Sequence, residues 1–289
     1  MQKLGDYIRE VNKRNKDLEI ELSQGICNAK YFQSPKQVAD NPQTHKIVRK
    51  GQFAYNRATT RNGEKISIAL REGSDCTVSS AYQVFEIIDE ELLDPKYLMM
   101  WFKRPEFDRL AIFYSHGSAH EFFEWDAMCD VLLPIPSIEQ QREIVSEYET
   151  ISKRIKLNEQ IIKNLEATAQ TLYHKMFVEG IDKENLPEGW RIGTLGEVAE
   201  IISGKTCSDK SNISDTLYKY PVAGASGIIG YSKNYNYNEK LMTTGRVGTL
   251  GVVNRYDEKM YMADNVLVIR TDYYEYCYQI LKSLDYNEI

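Results

Sequence analysis

The sequence predicts an α+β protein made of two β-rich mixed domains separated by a long coiled-coil helix. Three observations carry that reading: an unbroken heptad seam over 144–176, short β-branched and aromatic runs on both sides of it, and a weak internal repeat relating those two flanks. The 289 residues suit two domains, at about 150 residues each. A composition of 42% hydrophobic and 27% charged residues lets each of them bury a core. The expected boundaries are 1–137 for the first domain, 138–180 for the helix and 181–289 for the second domain.

The first flank opens with Leu4-Gly5-Asp6-Tyr7-Ile8, and the second with Leu195-Gly196-Glu197-Val198-Ala199. Further on, Gln52-Phe53-Ala54-Tyr55-Asn56-Arg57 is echoed by Leu241-Met242-Thr243-Thr244-Gly245-Arg246. The run Tyr82-Gln83-Val84-Phe85-Glu86-Ile87 is likewise echoed by Val266-Leu267-Val268-Ile269. These runs read as strands. A helix signal follows each: Asp94-Pro95 for a helix over 94–108, and Asp272 three residues before Glu275 for one from 272 to about 286. Two unrelated α+β domains with generic strand patterns would give a similar picture.

Between the flanks, Ile144, Tyr148, Ile151, Ile155, Asn158, Ile162, Leu165, Ala169, Leu172 and Met176 alternate spacings of four and three. That is a coiled-coil seam with Asn158 as its strongly polar member. Ser137 followed by Gln140 reads as a capping box, Pro134 and Pro136 keep the chain extended before it, and Gly180 supplies a stop. At 1.5 Å per residue the seam spans roughly 50 Å. An amphipathic helix lying on its own domain is the plainer alternative, but it usually shows a wider apolar stripe. A lone seam needs a partner helix. The first repeat continues past its helix into 109–137 and the long helix, whereas the second stops at Ile289. The expectation is therefore a second domain truncated before its last strands and second long helix.

No apolar run reaches the ~18 residues of a membrane helix, and the polar start is unlike a secretory signal. The five cysteines are scattered and form no CxxC pair, as in a reducing cytosol. Catalytic motifs are sparse. Ser203-Gly204-Lys205-Thr206 resembles the end of a phosphate loop, but Ala199 stands where that loop needs glycine. His116 and His120, near Glu121 and Glu124, have metal-ligand spacing, yet Gly117 and Ser118 favour a polar loop. No catalytic or metal-ligating set is expected.

Local charge is more informative. The net charge of −6 argues mildly against a nucleic-acid partner. Yet Lys46, Arg49, Lys50, Arg57, Arg61, Lys65 and Arg71 face only Glu64 over 46–71, interleaved with Asn56, Thr59, Thr60 and Asn62. A solvated basic face is the usual meaning of such a run. Cations neutralise phosphates, however, while arginine and asparagine can pair bidentately with guanine and adenine edges. The expected contacts are Lys46, Arg49, Lys50 and Lys65 with Asn56, Arg57, Thr60, Arg61 and Asn62, and more weakly Thr244, Arg246 and Thr249 in the second domain.

Two motifs then point to a family. Leu133-Pro134-Ile135-Pro136-Ser137-Ile138-Glu139-Gln140-Gln141-Arg142-Glu143-Ile144 leads into the heptads, and Leu186-Pro187-Glu188-Gly189-Trp190 precedes Leu195-Gly196-Glu197. They resemble the specificity (S) subunit of type I restriction–modification systems. The resemblance implies two target-recognition domains, each reading half of a bipartite double-stranded DNA site. It also implies a non-catalytic cytoplasmic scaffold for modification (methyltransferase) and restriction subunits. S-adenosylmethionine, ATP and Mg²⁺ are then expected only in those partners, with no cofactor in this chain. A spacer of roughly 50 Å would set half-site contacts up to about 15 bp apart. The unpaired seam is expected to meet those subunits or a second copy of the chain. The alternative is a coiled-coil oligomer whose tyrosine-rich heads, drawing on 20 tyrosines, bind protein or glycan. A stand-alone nuclease using His116 and His120 is a third reading.

Overall fold

A computed structural model describes residues 1–35, 41–59, 65–115, 121–246 and 251–284. The chain divides into two compact units, Met1–Lys156 and Leu157–Ile289. The longer strands of unit one are β1 (Ile8–Val11), β2 (Lys46–Val48), β3 (Phe53–Asn56), β4 (Ile68–Leu70), β5 (Cys76–Val78) and β6 (Tyr82–Ile87). Four of them form an antiparallel sheet in the order β1-β6-β3-β4, and β2 pairs with β5. Side chains alternate across the sheet. Phe53 and Phe85 stack as a cross-strand pair with ring centroids 4.9 Å apart, and Phe102 meets Phe53 edge-on. Ala54, Ala69 and Val84 point to a second core on the other face.

After the sheet come α1 (Pro95–Phe102), α2 (Pro105–Phe113) and α3 (Trp125–Cys129). Asp94 caps α1 as expected, accepting from the Lys96 and Tyr97 amides at 2.8 and 3.0 Å. The single helix expected over 94–108 is two: Pro105 has no N–H to continue α1 and instead opens α2 at its first turn.

The long helix α4 runs from Ile138 to Phe177. Ser137 N donates to Gln140 Oε1 at 3.3 Å, and Gln140 N faces Ser137 Oγ at 3.5 Å, which is the expected capping box. Gly180 follows its last turn in the left-handed region at φ +72°. In unit one, α4 packs on α1: Val145 joins the core and Glu149 Oε1 lies 2.6 Å from Lys96 Nζ.

Unit two contains β7 (Glu200–Ser203), β8 (Lys210–Ser211), β9 (Tyr220–Gly224), β10 (Gly227–Ser232), β11 (Tyr237–Asn238), β12 (Leu241–Gly245), β13 (Val253–Tyr256), β14 (Lys259–Met262), β15 (Val266–Arg270) and α5 (Tyr274–Ser283). Its antiparallel sheet has the order β7-β15-β12-β13, the arrangement of unit one repeated. The registers coincide as well. Met242 lies opposite Ile269 where Phe53 lies opposite Phe85, and Ile201 meets Ile269 where Glu10 meets Phe85. Met242 and Ile269 pack against Cys277, Tyr278 and Leu281 of α5, as the phenylalanines pack against α1. A second sheet, β8-β10-β9-β14-β11, joins β9 to β14 in parallel. Asp272 does not cap α5; Thr271 Oγ1 instead accepts from the Tyr273 amide at 3.0 Å. The later part of α4 packs on α5 through Tyr278 Oη to Glu166 at 3.2 Å and a ring cluster of Tyr173, Phe177, Trp190 and Tyr276.

Candidate nucleic-acid interface

Carboxylates from outside the basic run of unit one pair with two of its cations, Arg49 and Arg57, and burial removes Lys46 and Arg71 from its surface. Lys46 is 6% exposed in β2, and burial lowers its pKa. Arg49 sits between Asp75 Oδ2 and Glu19 Oε1, each at 2.9 Å, and the Lys50 amide donates to Asp75 Oδ1 at 3.0 Å. Hydrogen bonds from Lys13, and then from Arg49, hold Glu19 below the usual carboxylate range. Arg57 Nη1 lies 3.2 Å from Glu124 Oε2, with its guanidinium over the Phe122 ring. Arg71 is buried, bonded to Ser74 O and Gln24 Oε1. The net +6 of the sequence is therefore not a free basic face. Among the described residues of the run, Lys50 and Lys65 are the exposed cations outside an ion pair.

Asn56 uses Oδ1 to accept from the Ala58 amide at 3.1 Å, and Thr59 donates to Glu121 O at 3.2 Å. Thr60, Arg61 and Asn62 lie outside the described residues, as do His116, His120 and Thr249. Thr244 is buried in β12, whereas Arg246 is exposed with its amide bonded to Asn265 O. In the Ser203-Gly204-Lys205-Thr206 loop the amides of Gly204 and Lys205 bond Val266 O and Met262 O. A Cβ at Gly204 would stand 2.0 Å from Ala263 O, so the loop is packed against backbone with its donors spent, unlike a phosphate cradle.

Unit two has a basic, aromatic edge that counting charge along the sequence passes over. Lys219 lies over Tyr220, Lys233 over Tyr218 and Lys259 over Tyr235, each ammonium 5.0 Å from the ring centroid. Tyr220 and Tyr235 meet edge-on at 5.0 Å. Only the local Tyr218-Lys219-Tyr220 triplet hints at this in the sequence.

The seam of α4 is turned to solvent. Ile144, Tyr148, Ile151, Ile155, Ile162, Leu165, Leu172 and Met176 are 40–64% exposed, and Asn158 is exposed among them. Tyr148 alone of these lies beside Lys103, whose ammonium is over its ring. The Pro-x-Pro motif has a structural explanation. Gln141 is fully buried: its Nε2 donates to Leu92 O and Pro136 O at 3.0 and 2.9 Å, and its Oε1 accepts from Asp94 N at 2.9 Å. One amide thus ties the start of α4 to the chain before α1 and to the cap of α1.

Residues 187–288 match the type I restriction modification DNA specificity domain. The chain is 25% identical to the type I restriction enzyme HindI specificity subunit of Haemophilus influenzae over 228 residues, 74% of this chain and 49% of that protein. It is 26% identical to a putative type I specificity subunit of Mycoplasma pneumoniae over 135 residues, 44% of this chain and 36% of that protein. The chain thus spans half or less of the length of these relatives. The crystal structure of the type I restriction–modification S subunit from M. genitalium has the same fold, at TM-score 0.56 and 14% identity, covering 97% of this chain and 76% of that one. The chain is thus similar in sequence to type I specificity subunits, and the family model covers part of its second unit.

Proposed function

We propose that the chain is the non-catalytic DNA-reading subunit of a type I restriction–modification complex. Its two units each address one half of a bipartite double-stranded site. The observation that carries this reading is the duplication. The same four-strand order and register recurs in both units, and each unit sets the helix after its sheet against a different part of one continuous α4. Two copies of one reading module on a shared helix suit two separated stretches of a single duplex. Modification and restriction subunits dock on this scaffold and supply S-adenosylmethionine, ATP and Mg²⁺ chemistry, while the exposed seam of α4 offers an apolar stripe to a partner helix. That helix belongs either to another subunit or to a second copy of this chain.

The test is co-purification with a type I modification subunit, followed by selection from a random double-stranded DNA library. Enrichment of a bipartite site supports the reading, and a single half-site limits it to one working unit. A stable complex with no enriched sequence refutes sequence reading, and absence of both complex and DNA binding favours the oligomer with tyrosine-rich heads.

A further inference from the structure

Among the described residues of unit two, six cations stack on tyrosine rings, and they fall into two groups. Lys240 and Arg255 stack on Tyr274 and Tyr278 and share Glu275; Arg270 stacks on Tyr237 and is held by Glu200 and Glu239. Their charge is already compensated. Lys219, Lys233 and Lys259 stack on Tyr220, Tyr218 and Tyr235, are exposed, and form no ion pair with a described residue. The sheet register gathers this second group at one end. Tyr220 of β9 lies opposite Ser232 of β10, next to Lys233, and the parallel pairing of Val222 with Tyr261 brings Lys259 level with Tyr220. The adjacent carboxylates are engaged elsewhere: Asp209 accepts from Ser232 Oγ and the Lys233 amide, and Asp215 from the Leu217 and Tyr218 amides. Asp257 and Glu258 precede Lys259 without pairing to it.

We infer that this tyrosine–lysine row is where unit two grips the phosphate backbone of duplex DNA, with Lys219, Lys233 and Lys259 on phosphates and Tyr218, Tyr220 and Tyr235 holding the ammoniums in place. The inference rests on the DNA-reading function proposed above and says which surface performs it. Uncompensated ammoniums suit a polyanion. A neutral glycan would need bare ring faces, and here the chain's own lysines cover them. Because each ammonium already rests on a ring, less side-chain freedom is lost on contact than for a free lysine.

The experiment measures binding of the full 289-residue chain to a fluorescent 30-bp duplex of mixed sequence by anisotropy, from 50 to 300 mM KCl. Each phosphate contact contributes a slope of about −0.9 in log K against log salt, which is about eightfold in affinity at 0.1 M. Joint Lys219→Ala, Lys233→Ala and Lys259→Ala substitution is expected to flatten the slope by about 2.7, and the corresponding Lys→Arg variant to keep it. Lysine acetylation of the unsubstituted chain gives a readout independent of variant folding: duplex should protect these three lysines and leave Lys282 reactive. Equal reactivity with and without bound duplex, or an unchanged slope in a folded alanine variant, overturns the assignment while the chain still binds DNA. No binding of the unsubstituted chain at 50 mM KCl overturns the DNA-reading function together with it.

Discussion

Gln141→Leu tests whether the Pro-x-Pro-x-x-Glu-Gln-Gln entry acts as a joint between α4 and the first unit. Leucine keeps most of the side-chain volume, so the perturbation is the loss of three hydrogen bonds at a fully buried site, those to Leu92 O, Pro136 O and Asp94 N. At roughly 1 kcal/mol net for each, the expected cost is about 3 kcal/mol, and more if the orphaned backbone groups find no water. For a region the size of unit one that lowers the melting temperature by roughly 6–12 °C. Thermal unfolding of the full chain followed by circular dichroism and tryptophan fluorescence reads it directly, since Trp101 and Trp125 lie in unit one and Trp190 in unit two. Gln140→Ala, which removes only an exposed capping contact, should cost about 1 kcal/mol. A melting temperature within 2 °C of the parent for Gln141→Leu, or equal losses for the two variants, refutes the joint.

Three further outcomes are expected. Lys30 Nζ lies 2.7 Å from Asp108 Oδ1 with both side chains nearly buried, so Lys30→Met leaves a carboxylate without its cation and should cost about 3–5 kcal/mol in denaturant unfolding; a cost under about 1 kcal/mol would show that water reaches the site. The Thr194 amide, with Arg191, holds Glu197 at about 2, against 4.5 ordinarily. Its contribution to folding is therefore complete above pH 4.5 and lost as pH falls toward 2, and an NMR titration of that carboxyl with a midpoint near 4.5 would contradict the bonds from the Thr194 amide and Arg191. Ile162→Glu on the exposed seam should change unfolding by under about 0.5 kcal/mol yet abolish helix-mediated association in light scattering or co-purification; retained association would move the partner surface off the seam.

Much of the architecture depends on contacts close in sequence, and those were readable. The heptad seam, the Ser137 and Asp94 caps and the Gly180 stop depend on residues within one or two turns of each other. The start of the repeat was readable because the same offset relates Leu4 to Leu195 and, in the folded sheets, Glu10 to Ile201. The break at Pro105 is equally local, because a proline ends a helix at the residue before it. The candidate site behaves differently. Whether a cation is free depends on which carboxylate the fold brings to it, and Glu19, Asp75 and Glu124 reach Arg49 and Arg57 from as far as 67 residues away. The tyrosine–lysine row likewise exists because β9, β10 and β14 are neighbours in one sheet, one pair of them parallel. Periodicity and capping are properties of a segment, so the chain displays them in order. Charge compensation is a property of neighbours in space, and only the folded sheets supply those.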